Sequence, residues 1–136
     1  MTDPTEQKSK GNVMLVDDDK FLLDMYAVKF TQAGYTVHAC LGVKQAIEAL
    51  HGGFAADAIA FDLIMPQENG YALLEKIRTE KLVPNAALIA LSNQSDPSEQ
   101  KRTEELGATR YIIKASMIPS EVVAAVGEEI AKTKKS

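Results

Sequence analysis

Along most of the chain, short apolar runs alternate with longer stretches in which apolar residues recur at helical spacing. A short, nearly continuous apolar run indicates a strand that is buried on both faces of a sheet. The runs predicted as strands are Asn12 to Val16, Tyr35 to Cys40, Ala58 to Phe61, Ala87 to Leu91 and Arg110 to Ile113. The predicted helices run from Asp18 or Asp19 to Gly34, from Val43 to Leu50, from Tyr71 to Arg78, from Pro97 to Leu106 and from Pro119 to Lys132. Each strand is therefore followed by a helix.

This alternation predicts an α/β fold with one parallel sheet. Parallel strands need crossover connections, and right-handed helical crossovers place helices on both faces of the sheet. We expect a three-layer (βα)5 sandwich in which the five-stranded sheet has the flavodoxin-like order 2-1-3-4-5. Polar, lysine-containing segments at both ends predict a domain spanning 12–132, with flexible tails at 1–11 and 133–136.

Composition narrows the class of protein. The 136 residues are 46% hydrophobic and 25% charged, which suits one ordinary globular domain. A net charge of −4 argues against a dedicated nucleic-acid surface. Cys40 is the single cysteine, so an internal disulfide and a cysteine-rich zinc site are excluded. No apolar run approaches the roughly 20 residues of a membrane span, and we expect a cytoplasmic protein.

Charged and hydroxyl side chains follow four of the five predicted strands, at the point where each strand ends. They are Asp17 and Asp18 after the first strand, Asp62 after the third, Ser92 after the fourth and Lys114 after the fifth. In a parallel sheet, ligands bind outside the carboxyl ends of the strands, in the crevice where the strand order reverses. That crevice lies here between the first and third strands, so we expect Asp17 and Asp62 to face each other.

These charges favour a site for a metal ion and a phosphoryl group. Carboxylates so close together raise one another's pKa values unless a cation neutralises them. Carboxylate oxygens with room for water suit Mg²⁺, with Mn²⁺ as the alternative, and Lys114 supplies a second positive charge. A carboxylate beside such cations can attack phosphorus and form an aspartyl phosphate. The Ser92 hydroxyl would then donate a hydrogen bond to the phosphoryl group.

Four segments that contain these residues resemble the receiver domain of bacterial two-component response regulators. They are VDDD at 16–19, FDLIMPQENG at 61–70, ALS at 90–92 and GATRYIIK at 107–114. The segments occur in the family's order, and the similarity covers about residues 12–132. The resemblance implies a Mg²⁺-dependent phosphoacceptor domain that assists its own phosphorylation and dephosphorylation, rather than an enzyme.

The resemblance also implies a role for each matching residue. The expected assignments are metal ligation by Asp17, Asp18 and Asp62, phosphorylation at Asp62, phosphate binding by Lys114, and switching by Ser92 and Tyr111. Asp62, Lys114 and Ser92 together form the expected reactive set.

Members of this family take phosphate from a sensor histidine kinase or a phosphotransfer protein, so the resemblance implies the same class of donor here. No output segment follows Lys132, and we expect a stand-alone domain. Its signal would pass to an unidentified downstream protein through helix 4, strand 5 and helix 5. We expect no direct contact with nucleic acid or with a membrane.

Two positions depart from the common family pattern. Ala115 follows Lys114 where a proline is usual, and Asn69 precedes Gly70 where an aspartate is frequent. Neither change removes a reacting group. A cis peptide bond that does not precede proline costs roughly 2.5 to 4 kcal/mol. We therefore expect the bond between Lys114 and Ala115 to be trans.

Two further residues are expected to tune the lifetime of the phosphorylated state. Ile64 lies two positions beyond Asp62, and Gln94 lies two positions beyond Ser92, so both should flank the phosphoryl group. Hydrolysis needs a water molecule in line with the bond that breaks, and a polar side chain can orient that water. Because Ile64 cannot, we expect slow dephosphorylation, with Gln94 as the amide that positions water.

The fourth helix has a well-marked start. Asp96-Pro97-Ser98-Glu99 places a cap residue first, proline at the first helical position and glutamate at the third, a pattern typical of a helix N-terminus. Charged residues of both signs follow, and they predict a solvated helix face. They are Glu99, Lys101, Arg102, Glu104 and Glu105.

Three other functions fit parts of the sequence. Asp17-x-Asp19 is similar to the nucleophile motif of haloacid-dehalogenase-type phosphatases, but Phe21 stands where that family usually has a threonine or valine, and the chain is short for a cap domain. A receiver-like module that binds a partner without being phosphorylated would tolerate Ala115 in place of the usual proline. Such a module would not require the reacting residues, and all of them are present in this sequence. A flavin-binding module is disfavoured, because the acidic loop after the first strand would repel the flavin phosphate.

Overall fold

The computed structural model describes residues 9–135 and contains one five-stranded parallel sheet. Its strands are β1 (Asn12–Val16), β2 (Thr36–Cys40), β3 (Ala58–Asp62), β4 (Ala87–Ser92) and β5 (Arg110–Ile113). They lie in the order β2-β1-β3-β4-β5. The predicted fold class and strand order are confirmed.

Helices connect the strands and follow the last of them. They are α1 (Lys20–Gln32), α2 (Val43–His51), α3 (Gly70–Thr79), α4 (Pro97–Glu105) and α5 (Pro119–Lys135). A single turn of 3₁₀-helix, Lys114–Ser116, follows β5 directly and was not predicted. Within residues 9–135, no helix is both long enough and apolar enough to cross a membrane.

Both faces of the sheet are covered, because successive residues of a strand point to opposite faces. On one face, Val13 and Leu15 of β1 belong to a core that includes side chains of α1 and α5. On the other face, Met14 and Val16 belong to a core that includes side chains of α2 and α3. The central strand β3 is buried along its whole length. This packing fixes the ends of β1 and β3, where the candidate site residues lie.

The helix α4 has little apolar surface to attach it to the rest of the domain. Apart from Pro97, its sequence, PSEQKRTEE, holds no aliphatic or aromatic side chain, and only Thr103 is buried. Asp96 caps the helix by accepting hydrogen bonds from the backbone N–H groups of Ser98 (3.0 Å) and Glu99 (3.3 Å), as predicted. Leu106, directly after the helix, packs against the core, so the N-terminal part of α4 depends most on polar side-chain contacts for its position.

The last helix extends into the predicted C-terminal tail. α5 continues to Lys135 rather than ending at Lys132, so 133–135 are helical. Residues 131–135, after the buried Ile130, are alanine, lysine and threonine, and they include no glycine or proline that would stop a helix. Ser136 lies outside the described residues.

The described part of the predicted N-terminal tail also makes hydrogen bonds to the domain. The Lys10 N–H donates to the Gly34 carbonyl (2.9 Å), and the Thr36 N–H donates to Ser9 Oγ (3.1 Å). These contacts place residues 9–11 beside the start of β2. The rest of that tail, 1–8, lies outside the described residues.

Candidate functional site

The carboxyl ends of β1 and β3 bring three aspartates together. Asp17 follows β1 and Asp62 ends β3, and these strands are direct neighbours in the sheet. Asp17 and Asp62 are almost fully buried, with 3% and 4% of their surface exposed, whereas Asp18 is exposed. One carboxylate oxygen from each of the three lies within 4.8 Å of the others. The structure thus assembles the cluster that the sequence predicted.

Lys114 adds a positive charge to the same crevice. It stands at the end of β5, and β4 lies between β5 and β3 in the sheet, so its long side chain reaches across β4. Its ammonium nitrogen is 3.0 Å from Asp17 Oδ2 and 3.3 Å from Asp62 Oδ1. Burial alone would lower the pKa of Lys114, but the hydrogen bond to Asp17 and the charges of Asp62 and Asp17 raise it overall. Lys114 is therefore held in its charged form.

Asp62 has an unusual electrostatic environment. Burial raises its pKa to about 6, the charge of Lys114 opposes this rise, and the charges of Asp17 and Asp18 add to it. Its Oδ1 is buried and receives no well-aligned hydrogen bond from any described residue, although the Lys114 ammonium is nearby. A buried carboxylate oxygen without a hydrogen bond is costly and available for a new partner.

The donor set fits a hard divalent cation. The cluster offers carboxylate oxygens only, and Asp18 is open to solvent, which leaves room for water ligands. Asp17 is already oriented, because its Oδ1 accepts a hydrogen bond from the Asp19 N–H at 2.9 Å. The cluster can therefore hold a metal ion of the Mg²⁺ type beside the free oxygen of Asp62.

The backbone at Lys114 forms the start of the 3₁₀ turn. Lys114 and Ala115 both belong to this turn, and the bond between them is trans, as predicted. A residue that precedes proline is disfavoured in helical conformation, because the proline ring clashes with its backbone. Ala115 therefore permits Lys114 to begin a helical turn at the site.

The loop between β3 and α3 packs closely against the backbone of Asp62. Asn69 caps α3 by accepting a hydrogen bond from the Ala72 N–H at 3.0 Å. A Cβ on the next residue, Gly70, would lie 2.7 Å from the Asp62 carbonyl oxygen and 2.9 Å from Phe61 Cδ2. Gly70 therefore allows α3 to begin directly against the end of β3, and Asn69 supplies the cap.

Ser92 and Tyr111 meet in a hydrogen-bonded cluster beside the site. Ser92 is buried at the end of β4, and its Oγ donates to Glu99 Oε1 or to the Gln94 carbonyl. The Tyr111 hydroxyl contacts the same two acceptors, at 2.7 Å and 2.8 Å. The two predicted switch residues are thus linked to each other through Glu99, a residue that sequence reasoning did not select.

The prediction of a solvated face for α4 is only partly correct. The Glu99 side chain is turned toward the sheet, where it accepts hydrogen bonds from Ser92 and Tyr111. The Arg102 guanidinium lies over the Tyr71 ring, 3.9 Å from its centre. The charge pattern did not reveal either contact, because both depend on how α4 is rotated against the sheet.

The two residues expected to tune hydrolysis lie at the edge of the site. Ile64 is 63% exposed in the loop after β3. Gln94 is also exposed, and its backbone groups contact Ser92, with the N–H donating to Ser92 Oγ at 3.2 Å. Their effect on hydrolysis stays a prediction.

The two aspartates of the phosphatase-like motif have separate roles in the structure. Asp19 is the N-cap of α1, where its side chain accepts a hydrogen bond from the Leu22 N–H at 3.2 Å. Asp17 instead contacts Lys114. The Asp17-x-Asp19 pair therefore serves two different local purposes rather than one catalytic step.

Comparison with known families gives a match over most of the chain. The family model of the response regulator receiver domain matches residues 13–126. The chain is 27% identical over 129 residues to a probable transcriptional regulator, ycf27, of Guillardia theta, covering 95% of this chain and 49% of that protein. It is 27% identical over 124 residues to the response regulator SaeR of Staphylococcus aureus, covering 91% and 52%. The chain spans about half the length of these relatives.

Solved structures show the same architecture. A CheY-like response regulator receiver domain protein from Methanospirillum hungatei superimposes with a TM-score of 0.83 at 22% identity, covering 95% of this chain and 98% of that one. A putative response regulator from Chloroflexus aurantiacus superimposes with a TM-score of 0.80 at 27% identity, covering 89% and 98%.

Proposed function

The chain belongs to the response regulator receiver domain family, whose general function is phosphorylation on an aspartate, and we propose that Asp62 is the residue phosphorylated here. The observation that carries this proposal is the buried Oδ1 of Asp62, which receives no well-aligned hydrogen bond within the described part of the chain and lies beside Lys114. A nucleophilic carboxylate needs one free oxygen and nearby positive charge, and Asp62 has both.

The donor is a phosphohistidine of a sensor histidine kinase or of a phosphotransfer protein. A carboxylate oxygen of Asp62 attacks the phosphorus, so that a P–O bond forms while the P–N bond breaks and its electron pair returns to the imidazole nitrogen. Lys114 neutralises negative charge on the phosphoryl oxygens. Because the domain itself supplies this charge, it assists its own phosphorylation, and small phosphodonors also react.

Asp17, Asp18 and Asp62 would hold Mg²⁺, or Mn²⁺ in its place. When bound, the ion supplies charge neutralisation at the phosphoryl oxygens. Asp17 is prepared for this role, because one of its oxygens is fixed by the Asp19 N–H and the other by Lys114. The exposed Asp18 gives access from solvent.

Exposed apolar side chains near the site suit contact with a protein donor. Phe21 at the start of α1 is 78% exposed, and Ile118, in the loop after the Lys114 turn, is 62% exposed. Ile64, two residues after Asp62, is also exposed. Phe21, Ile64 and Ile118 follow the carboxyl ends of β1, β3 and β5, so all three lie on the side of the sheet where those strands end. A donor that delivers a phosphohistidine into the crevice would bury apolar surface there.

Phosphorylation would then change the surface formed by α4, β5 and α5. In the proposed switch, Ser92 moves toward a phosphoryl oxygen and Tyr111 turns inward into the space that Ser92 leaves. The phosphoryl group can bias these two states because it interacts with Ser92 in only one of them. A downstream protein would recognise the altered surface.

The intact mass of the protein after incubation with acetyl phosphate tests this function. We expect the addition of one phosphoryl group in the presence of Mg²⁺, none with a chelator, and none in Asp62→Asn. Asp57→Asn is the matched control, because Asp57 lies before the other end of β3, where its carboxylate accepts a hydrogen bond from the Asn12 N–H at 2.8 Å. Normal labelling of Asp62→Asn would refute the assignment.

A further inference from the structure

Glu99 occupies a position between the two switch residues that the proposed reaction does not explain. Its Oε1 accepts hydrogen bonds from Ser92 Oγ and from the Tyr111 hydroxyl, the latter at 2.7 Å. These two hydrogen bonds are called the Glu99 bridge below. The bridge joins the end of β4 to β5 through a side chain of α4.

The proton of the Ser92 hydroxyl is already donated to neighbouring acceptors. A hydroxyl has one proton to donate, and the acceptors near Ser92 Oγ are Glu99 Oε1 and the Gln94 carbonyl at 2.8 Å. The Gln94 N–H also donates to Ser92 Oγ. A phosphoryl group on Asp62 can therefore receive the Ser92 proton only if Ser92 leaves these acceptors.

The bridge also helps to hold the N-terminal half of α4. Thr103 is the one buried residue of this helix, and its hydroxyl donates to the Gln100 carbonyl within the helix rather than to the sheet. Besides the bridge, the Arg102 side chain of α4 contacts the Tyr71 ring. Loss of the bridge would remove the side-chain hydrogen bonds that attach Glu99 of α4 to β4 and β5.

We propose that Glu99 is a positioning residue that holds Ser92 and Tyr111 in the unphosphorylated arrangement and competes with the phosphoryl group for the Ser92 hydroxyl. This inference rests on the proposed phosphorylation of Asp62. When Ser92 turns to the phosphoryl oxygen, Glu99 loses one of its two donors, and the link between α4 and the end of β4 is broken. The bridge thus couples events at Asp62 to the position of α4, and it slows phosphorylation.

The rate of labelling by acetyl phosphate with Mg²⁺ tests this competition. Glu99→Ala should be labelled roughly three- to ten-fold faster than the wild type, the factor that one net hydrogen bond gives in an equilibrium constant. Glu99→Gln should show a smaller increase, because its amide oxygen still accepts one hydroxyl. Glu105→Gln, an exposed position on the same helix, is the matched control and should react at the wild-type rate.

A double-mutant cycle separates competition for Ser92 from general loosening of α4. In a Ser92→Ala background, Glu99→Ala should give no further acceleration, because the hydroxyl for which Glu99 competes is absent. An equal acceleration in both backgrounds, or a wild-type rate in Glu99→Ala, would overturn the proposal. If Glu99→Ala does not fold, Glu99→Gln carries the same comparison.

The outcomes also distinguish this inference from the proposed function. Failure to label the wild type would overturn both the role of Glu99 and the phosphorylation of Asp62. Normal labelling of the wild type with unaffected Glu99 variants would overturn the role of Glu99 alone.

Discussion

The ammonium of Lys114 lies 3.3 Å from Oδ1 of Asp62, although β4 separates their two strands in the sheet. The lysine is anchored by its hydrogen bond to Asp17 at 3.0 Å. Its charge is therefore in place before a phosphoryl group arrives, and no reorganisation is needed when charge develops on the phosphoryl oxygens. This arrangement makes the contribution of Lys114 measurable.

Lys114→Met should slow labelling by acetyl phosphate by on the order of 100-fold, the usual effect of removing one preorganised electrostatic contact. Methionine keeps most of the volume and removes the charge. Lys101→Met, which changes an exposed lysine of α4, serves as the control and should leave the rate unchanged. A rate for Lys114→Met within two-fold of wild type (roughly the limit of additivity for distant surface changes) would show that Lys114 only stabilises the fold.

The stability of the protein in a chelator should depend on pH through Asp62. Its pKa in the folded protein is raised from 3.8 to about 6, mainly by burial, so the folded state binds this proton more tightly than the unfolded chain. The stability gained from Asp62 is therefore fully present below about pH 4 and is lost as the pH rises through about 6, by roughly 3 kcal/mol in total.

Urea unfolding of the wild type and of Asp62→Asn between about pH 3 and about pH 8, a range that brackets both pKa values, measures this effect. The unfolding free energy of the wild type should fall relative to that of Asp62→Asn as the pH rises. Mg²⁺ added at the high end should restore stability to the wild type more than to the variant, because the ion binds the folded state. A constant difference between the two proteins across the range contradicts the assigned environment of Asp62.

Ile64→Asn should shorten the lifetime of the phosphorylated protein several-fold, which corresponds to on the order of 1 kcal/mol of barrier. The asparagine amide can orient a water molecule near Asp62, and the exposed isoleucine cannot. Ile118→Asn makes the same change at an equally exposed residue of another loop and should have no effect on the lifetime. Decay of the phosphorylated mass peak measures both, and an unchanged or slower decay in Ile64→Asn would show that water access is controlled elsewhere.

Gly70→Ala should destabilise the protein by roughly 1 to 3 kcal/mol, the range for inserting a methyl group into a packed region. The new Cβ would lie 2.7 Å from the Asp62 carbonyl oxygen, so β3 and α3 must separate. Gly42 is the N-cap of α2, and a Cβ there meets nothing within 4 Å. The same substitution at Gly42 should therefore cost less than about 1 kcal/mol, mostly because alanine is a poorer N-cap than glycine. Equal unfolding free energies for the two variants would contradict the close packing inferred at Gly70.

The sequence predicted the sheet and the acidic crevice because both depend on local patterns. Apolar runs define the strands, and the residues that follow Val16 and Phe61 must meet once β1 and β3 are neighbours. The bridging role of Glu99 depends instead on the rotation of α4, which has no apolar stripe to fix it in the sequence. The weakly engaged Oδ1 of Asp62 was likewise not predictable, since it depends on how the Lys114 ammonium is oriented in three dimensions.

The most direct test of the central claim is chemical mapping of the phosphorylated residue. An aspartyl phosphate is a mixed anhydride, and borohydride reduces it to the alcohol, so a phosphorylated aspartate becomes homoserine. After labelling with acetyl phosphate and Mg²⁺, peptide mass spectrometry should find homoserine at position 62 in the wild type and at no site in unlabelled protein. Homoserine at Asp17 or Asp18 with an unmodified Asp62 would contradict the account.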